Sequence, residues 1–193
     1  MRARRKTAGW GARVLRALGF AMILVGLGFI AFFFVGLPGG TAGNIPTKDD
    51  ASPTEAPTDD ALYLTIPDIG IEDLKVHNSY TQEKLDESAI HLPDTGFPWQ
   101  PDSNTYIAGH RMGYYGTDSF LVFFRLNELE RGDKVTLKDS LGIEYVYQVT
   151  EQLVVGPGDV SVMNSVAGKS IVSLQTCTLP DYSDRLIVRG ELL

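Results

Sequence analysis

The sequence predicts an all-β domain with short helices, folded as an antiparallel barrel or sandwich and preceded by one N-terminal transmembrane helix. Two observations support this prediction. From residue 62 onward, short stretches rich in β-branched and aromatic residues alternate with turn residues, as in DKVTLKD and IEYVYQVTEQLVV. Upstream of them lies one long stretch without a charged side chain. Helical patterns within the domain are short, at residues 82–89 and 123–129.

The uncharged stretch is ALGFAMILVGLGFIAFFFVGL, residues 17–37. A helix of 21 residues rises about 30 Å, enough to cross the hydrocarbon core of a bilayer. Residues 1–16 carry six basic side chains and no acidic one, and basic flanks favour the cytoplasmic side. A cleaved signal peptide is the alternative, but its apolar core is usually about 7–15 residues long. We therefore expect a cytoplasmic basic tail, an uncleaved anchor at 17–37 and an extracellular remainder.

Residues 38–61 are rich in Pro, Gly, Thr and Asp and show no hydrophobic periodicity. Such a composition cannot bury a core, so it predicts a flexible linker before a folded domain at 62–193. The net charge of -7 is unevenly spread, because all 24 acidic residues lie from Asp49 onward together with only 11 basic ones. A nucleic-acid-binding protein needs a basic folded domain, and this acidic domain argues against that class.

Cys177 is the only cysteine, so no disulfide can form within the chain. Extracellular proteins usually pair their cysteines or have none, so an unpaired thiol indicates a reactive residue, with a buried inert cysteine as the alternative. Cys177 ends the predicted strand SIVSLQTC, and a seven-residue loop leads to a strand that begins at Arg185. A hairpin would place Arg185 close to the thiol, where a guanidinium favours the thiolate and can bind an oxyanion. Arg189 shares the face of Arg185 and is the competing arginine.

The chain has three histidines: His77, His91 and His110. His110 ends the predicted strand TYIAGH, where Gly109 permits an unusual backbone and a glycine-containing loop follows. A histidine at such a junction can line a groove and act as an acid or base, with a purely structural role as the alternative. His77 and His91 lie in less regular segments that we expect to be exposed.

Three segments, YIAGHR, LQTC and RLIVRGEL, resemble the signature segments of the sortase family and occur in the same order. LTIPDIGIEDLKV resembles the family's first strand, and LERGDKV resembles a segment between its central strands, so the resemblance covers the whole domain. It implies an eight-stranded sortase-type β-barrel and a cysteine transpeptidase. One departure is Ser173, which stands where the family pattern has Thr.

The resemblance also implies the roles of individual residues. Cys177 matches the nucleophile, His110 the family histidine and Arg185 the family arginine, while Thr176 matches a position near the substrate. Cys177 would attack the carbonyl carbon of a substrate Thr and form a thioester acyl-enzyme. An amine is a poor leaving group unless protonated, so the His110 imidazolium is the natural general acid. Arg185 would hold the oxyanion or the substrate backbone.

The partners and the location are implied by the same resemblance. The substrates would be surface proteins with a C-terminal sorting signal of the LPxTG or LAxTG kind, and the acceptor a peptidoglycan precursor or another amine of the cell envelope. The protein would sit in the membrane of a Gram-positive-type bacterium with its catalytic domain outside. We find no second apolar segment at the C-terminus and no lid rich in Asp, Pro and aromatic residues, which favours a housekeeping-like or class E-like member. No cofactor is implied, and the acidic residues match no calcium-loop spacing.

A different cysteine enzyme of the cell wall is one competing interpretation. Such enzymes place the cysteine in an HGC-like segment or at a helix N-terminus ahead of the histidine. Here Cys177 ends a predicted strand and follows His110 in the chain, which argues against that class.

A non-enzymatic surface protein is the second competing interpretation, because LPDTG at Leu92 to Gly96 matches a sorting signal itself. A working sorting signal is followed by an apolar segment and a basic tail, and neither follows Gly96. We therefore predict a structural turn at this string, because Pro93 fixes the backbone angle φ and Gly96 gives the chain conformational freedom where it leaves the turn.

Overall fold

The computed structural model describes residues 56–193. The predicted basic tail, the transmembrane anchor at 17–37 and most of the linker lie outside these residues. Within the described range, no helix is long and apolar enough to span a bilayer.

Eight strands and one α-helix make up the regular structure of residues 56–193. The strands β1 to β8 are Leu62–Ile66, Ile71–Asn78, Ala89–His91, Asn104–Ala108, Lys134–Asp139, Glu144–Val155, Ile171–Cys177 and Arg185–Leu192. The helix α1 spans Gln82–Glu87, and short 3-10 helices lie at Pro67–Ile69, Leu126–Glu128 and Val160–Met163.

The strands close into a barrel in the order β1-β2-β3-β4-β7-β8-β6-β5. This confirms the predicted eight-stranded barrel and excludes the sandwich. The prediction of an antiparallel barrel is wrong in one respect, because β2 pairs with β3 and β4 pairs with β7 in parallel. Parallel neighbours need a crossover rather than a tight hairpin. Helix α1 lies in the first crossover, and β5 and β6 lie between β4 and β7 in the chain.

The barrel interior is a continuous apolar core. Its members from the three strands that matter for the site are Ile107, Val172, Leu174, Leu186 and Val188. Each such side chain contributes roughly 1.5–3 kcal/mol when it leaves water. A second, smaller cluster lies on the outer face of the same strands, where the buried side chains of Tyr106, Val162 and Ile187 meet. The β6–β7 connection therefore covers one end of this outer face and leaves the other end open.

The string LPDTG forms a hydrogen-bonded turn, as predicted. The Thr95 backbone N–H donates to the Leu92 carbonyl at 2.9 Å, and the Gly96 N–H donates to the Asn104 carbonyl at 3.1 Å. The Thr95 hydroxyl also donates to the Leu92 carbonyl, at 2.7 Å. A Cβ at position 96 would lie 2.6 Å from the Ser103 Cβ, so the close packing requires glycine. The peptide bond between Thr95 and Gly96 is thus held within the fold on both sides.

His91 is completely buried at the end of β3, so the expectation of an exposed segment was wrong for this residue. Its Nδ1 lies 3.0 Å from Asn78 Oδ1, and its Nε2 lies 3.1 Å from the Gly96 carbonyl oxygen. The sequence Ala-Ile-His is too short to show a strand pattern, yet β3 pairs with β2 on one side and β4 on the other. His77 lies in β2, partly exposed, with Nε2 3.3 Å from Glu87 Oε2.

We expect the domain to lose stability as the pH falls below about 6.5, because burial lowers the pKa of His91. The folded state keeps the ring neutral while the unfolded chain takes up a proton. The stabilisation is therefore complete above the unfolded pKa near 6.5 and is lost as the pH falls toward the lowered pKa of the folded state. Urea titrations at several pH values measure this dependence.

In the variant His91→Gln, the free energy of unfolding should depend less on pH below about 6.5 than in the wild type. Burial also lowers the pKa of His77, so His77→Gln measures how much of the pH dependence of unfolding comes from that residue. An unchanged pH dependence in His91→Gln would contradict the expectation.

Candidate active site

The pairing of β4 with β7 brings two predicted catalytic residues to the same level of the barrel. In this parallel pair Ala108 lies beside Gln175, and the ladder continues because the Gly109 N–H donates to the Gln175 carbonyl at 3.0 Å. His110 lies two residues beyond Ala108, just past the end of β4, and Cys177 lies two residues beyond Gln175, at the end of β7. Since side chains alternate along a strand, both extend from the same end of neighbouring strands and toward the same side.

The β7–β8 hairpin adds the predicted arginine at that level. Its antiparallel register pairs Cys177 directly with Arg185, which confirms the expected hairpin. The loop between them is closed by the Thr178 N–H, which donates to the Asp184 carbonyl at 3.0 Å. His110, Cys177 and Arg185 therefore come from three adjacent strands at one end of the barrel.

The competing arginine lies elsewhere on the same face. Arg189 pairs with Ser173, four positions away from the level of Cys177. Its Nη2 donates to the Val162 carbonyl at 3.1 Å, and its Nη1 lies 3.2 Å from a Glu151 carboxylate oxygen. Arg189 thus holds the β6–β7 connection against the barrel, and its position favours a structural role.

The guanidinium of Arg185 is oriented by its own loop. Its Nη1 donates to the carbonyl oxygens of Tyr182 and Asp184, at 3.2 and 3.1 Å. Among the contacts of residues 56–193, Nη2 and Nε of Arg185 donate to no other group. These N–H groups are the ones that can bind an oxygen atom of a ligand.

Cys177 and His110 line one cleft of about 360 Å³. The other lining residues are Gln82, Met112, Gly113, Tyr114 and Tyr182. Tyr182 from the β7–β8 loop faces Met112 from the loop after His110, with 3.9 Å between the hydroxyl oxygen and the sulfur. The cleft therefore combines a thiol and an imidazole with polar and apolar side chains, an arrangement that suits the binding of a small ligand or peptide segment.

Helix α1 contributes two polar residues to the site that the sequence analysis did not identify. His110 Nε2 lies 2.9 Å from Asp86 Oδ1, and the Gln82 side-chain amide donates to the same oxygen at 2.8 Å. The hydrogen bonds from His110 and Gln82 lower the pKa of the Asp86 carboxyl. The spacing of four residues, which places Gln82 and Asp86 on one face of a helix, was the only sequence signal for this pair.

Thr176 precedes Cys177 and occupies the opposite face of β7. Its side chain is buried, and its hydroxyl donates to the Gly109 carbonyl at 2.9 Å. This bond joins the ends of the two strands that carry Cys177 and His110. The predicted contact of Thr176 with a substrate stays a prediction.

Other positions named in the sequence analysis can also be placed. Ser173, the departure from the family pattern, is buried in β7, and its hydroxyl has no hydrogen-bond partner within residues 56–193. Beside it, the Tyr106 hydroxyl donates to Gln175 Oε1 at 2.7 Å, and burial raises the pKa of Tyr106 to about 12. No cluster of three His, Cys, Asp or Glu side chains suited to a metal ion occurs in the described part of the chain.

The chain is similar to known sortases. Residues 64–193 match the family model of the sortase domain. Sortase A of Streptococcus agalactiae serotype III (strain NEM316) is 30% identical over 129 residues, which cover 67% of this chain and 51% of that protein. The chain thus spans about half the length of this relative.

Solved structures show the same likeness. Sortase C-1 from Actinomyces oris is 30% identical with a TM-score of 0.62, over 68% of this chain and 72% of that chain. Sortase C1 from Streptococcus agalactiae is 30% identical with a TM-score of 0.61, over 68% and 66% of the two chains.

We expect Thr176→Val to destabilise the domain by about 1–3 kcal/mol, because the buried Gly109 carbonyl loses its donor. Thr176→Ser keeps the hydroxyl and is the matched control, expected to unfold closer to the wild type. Urea titration measures both. Equal stability of the Val variant and the wild type would contradict the role of the hydrogen bond. A separate measurement, the KM of Thr176→Ser, tests whether the Thr176 methyl group contacts a substrate.

Proposed function

The chain belongs to the sortase family of enzymes, and on that premise we propose that it is a cysteine transpeptidase acting on sorting-signal peptides. It cleaves a signal of the LPxTG or LAxTG kind after Thr and transfers the acyl part to an amine of the cell envelope. The observation that carries the proposal is that Cys177 pairs with Arg185 across the β7–β8 hairpin while Cys177 and His110 line one cleft.

Acylation begins when the Cys177 thiolate, paired with the His110 imidazolium, adds through Sγ to the carbonyl carbon of the substrate Thr. The carbonyl oxygen gains negative charge, and the N–H groups of Arg185 that are not bound to the loop can stabilise it. The bond from carbon to the Gly nitrogen then breaks, and the electron pair stays on nitrogen. The leaving amine takes a proton from the His110 imidazolium, and the thioester remains on Cys177.

Deacylation follows the same path in reverse with a second amine. The acceptor nitrogen attacks the thioester carbon and loses a proton to neutral His110. The new amide bond forms as the Cys177 thiolate leaves. The acceptor is a peptidoglycan precursor or another amine of the cell envelope in this proposal.

The competing interpretations lose support from the fold. An anchored surface protein would need LPDTG as an accessible signal, but hydrogen bonds hold Leu92, Thr95 and Gly96 in a turn. A cell-wall cysteine peptidase of another family would not share the sortase domain matched over residues 64–193.

The sequence supplies the remaining parts of the proposal. The uncharged segment 17–37 would anchor the protein in the cell membrane, with its basic flank in the cytoplasm and the domain outside. Proteins with a C-terminal sorting signal would be the partners there. The subclass is proposed as housekeeping-like or class E-like. Thr176 is proposed to lie near the substrate because it directly precedes Cys177 in the chain.

Incubation with a labelled Leu-Pro-Xaa-Thr-Gly or Leu-Ala-Xaa-Thr-Gly peptide should produce a protein adduct that retains the part up to Thr. Intact-mass spectrometry detects this adduct, and addition of triglycine should release it as a new amide. Cys177→Ala should give no adduct, because no thioester can form. A wild-type protein that forms no adduct with peptides of either kind would contradict the proposal.

Replacing Arg185 by Gln should lower kcat by roughly 10²–10³-fold, because the developing oxyanion loses a donor. Arg189→Gln removes the same group from the same strand and is the matched control. We expect it to reduce the melting temperature while changing kcat much less. A larger loss of kcat in Arg189→Gln than in Arg185→Gln would reverse the assignment of the two arginines.

A further inference from the structure

His110 has two ring nitrogens, and the fold engages only one of them. Nε2 lies 2.9 Å from Asp86 Oδ1 and 3.3 Å from the Gln82 side-chain nitrogen, whereas Nδ1 forms no hydrogen bond with any residue of the described range 56–193. The Gln82 amide donates to Asp86 Oδ1 at the shorter distance of 2.8 Å, so the carboxylate is the acceptor for the Nε2–H. We propose that Asp86 is a positioning residue that holds the Nε2 proton of His110, so that Nδ1 is the nitrogen that exchanges protons with the substrate amines. This inference rests on the proposed transpeptidase function.

The carboxylate of Asp86 reaches the ring from a well-supported position. The Gln82 amide donates to Asp86 Oδ1 at 2.8 Å, and the Asp86 backbone carbonyl accepts the Ser119 N–H at 3.3 Å. The second bond ties α1 to the loop that follows His110. Asp86 and His110 are therefore held relative to each other through both backbone and side chains.

The His110 ring is also confined on the side opposite to Nδ1. A Cβ at Gly113 would lie 2.9 Å from His110 Cδ2 and 3.1 Å from His110 Cγ, so the Gly113 backbone packs against the Cγ–Cδ2 side of the ring. The Phe123 N–H donates to the His110 carbonyl at 2.9 Å and fixes the main chain. The edges at Nε2 and Cδ2 are thus occupied, and the edge with Nδ1 and Cε1 is the one left for a ligand in the cleft.

The arrangement gives each proton a defined place. In the imidazolium, the Nε2–H donates to Asp86 and the Nδ1–H passes to the leaving amine as the carbon–nitrogen bond breaks. The neutral ring keeps Nε2–H, and its Nδ1 lone pair takes a proton from the acceptor amine in the second half-reaction. A carboxylate at Nε2 accepts the Nε2–H and therefore disfavours the other neutral tautomer. The hydrogen bond from His110 lowers the pKa of Asp86, which therefore stays ionised at neutral pH.

Kinetics of Asp86→Asn test the role in turnover. An amide can donate toward Nε2 and favour the wrong tautomer, so we expect kcat to fall about 10- to 100-fold while KM stays within about twofold. Glu83→Gln is the matched control, because Glu83 lies on the exposed part of the same helix and loses the same charge. It should retain wild-type kcat within about twofold. Asp86→Glu, which keeps the carboxylate, should recover part of the activity.

Ring-nitrogen NMR on protein with ¹⁵N-labelled histidine tests the tautomer without turnover. His110→Gln assigns the signals. We expect the neutral ring of the wild type to carry its proton on Nε2, and Asp86→Asn to shift the population toward Nδ1–H. If circular dichroism shows that Asp86→Asn does not fold, kcat and the His110 tautomer are measured on Asp86→Glu and the wild type instead, and an Nδ1–H ring in the wild type still overturns the positioning role.

The two proposals fail in different ways. A wild-type protein without transpeptidation but with the Nε2–H tautomer contradicts the proposed function and leaves the positioning by Asp86 intact. An active wild type whose kcat is equally affected by Asp86→Asn and Glu83→Gln overturns the positioning role. A wild-type ring protonated on Nδ1 overturns it as well.

Discussion

The register of β7 with its two neighbours is the constraint on which the candidate active site depends. β7 pairs in parallel with β4 and antiparallel with β8. These two ladders place His110, Cys177 and Arg185 on three adjacent strands at one level. A slip of one residue would turn Cys177 toward the core and bring Thr176 to the cleft. The hydrogen bond from Thr176 to the Gly109 carbonyl and the apolar side chains on the inner face of β7 oppose such a slip.

The two ends of the outer face of these strands differ in the contacts that their arginines make. At one end Arg189 binds the Val162 carbonyl, and Val162 packs on Tyr106 and Ile187. At the other end, among residues 56–193, Arg185 donates only to carbonyls of its own loop, and its Nη2 and Nε have no partner there. Two arginines that are equivalent by strand periodicity thus make different contacts, and only Arg185 lies at the level of Cys177.

Local patterns predicted the parts of the site that depend on local structure. Strand alternation and a seven-residue loop were sufficient to predict the hairpin that joins Cys177 and Arg185, and the turn residues of LPDTG predicted a turn. The parallel pairs were not predicted, because nothing in a strand's own sequence fixes its partner across a long crossover. His91 was misjudged because its burial depends on strands that flank it in space. Asp86 was missed because its contact with His110 joins a helix and a strand end that are 24 residues apart.

We propose that the register of β7 brings His110, Cys177 and Arg185 to one substrate carbonyl, and a structure of the protein with a substrate-mimicking peptide disulfide-bonded to Cys177 tests this most directly. We expect the carbonyl oxygen next to the attachment point to lie within hydrogen-bond distance of Nη2 or Nε of Arg185, and His110 Nδ1 to face the position of the leaving nitrogen. A peptide whose carbonyl contacts Arg189, or that lies away from both His110 and Arg185, would contradict this proposal.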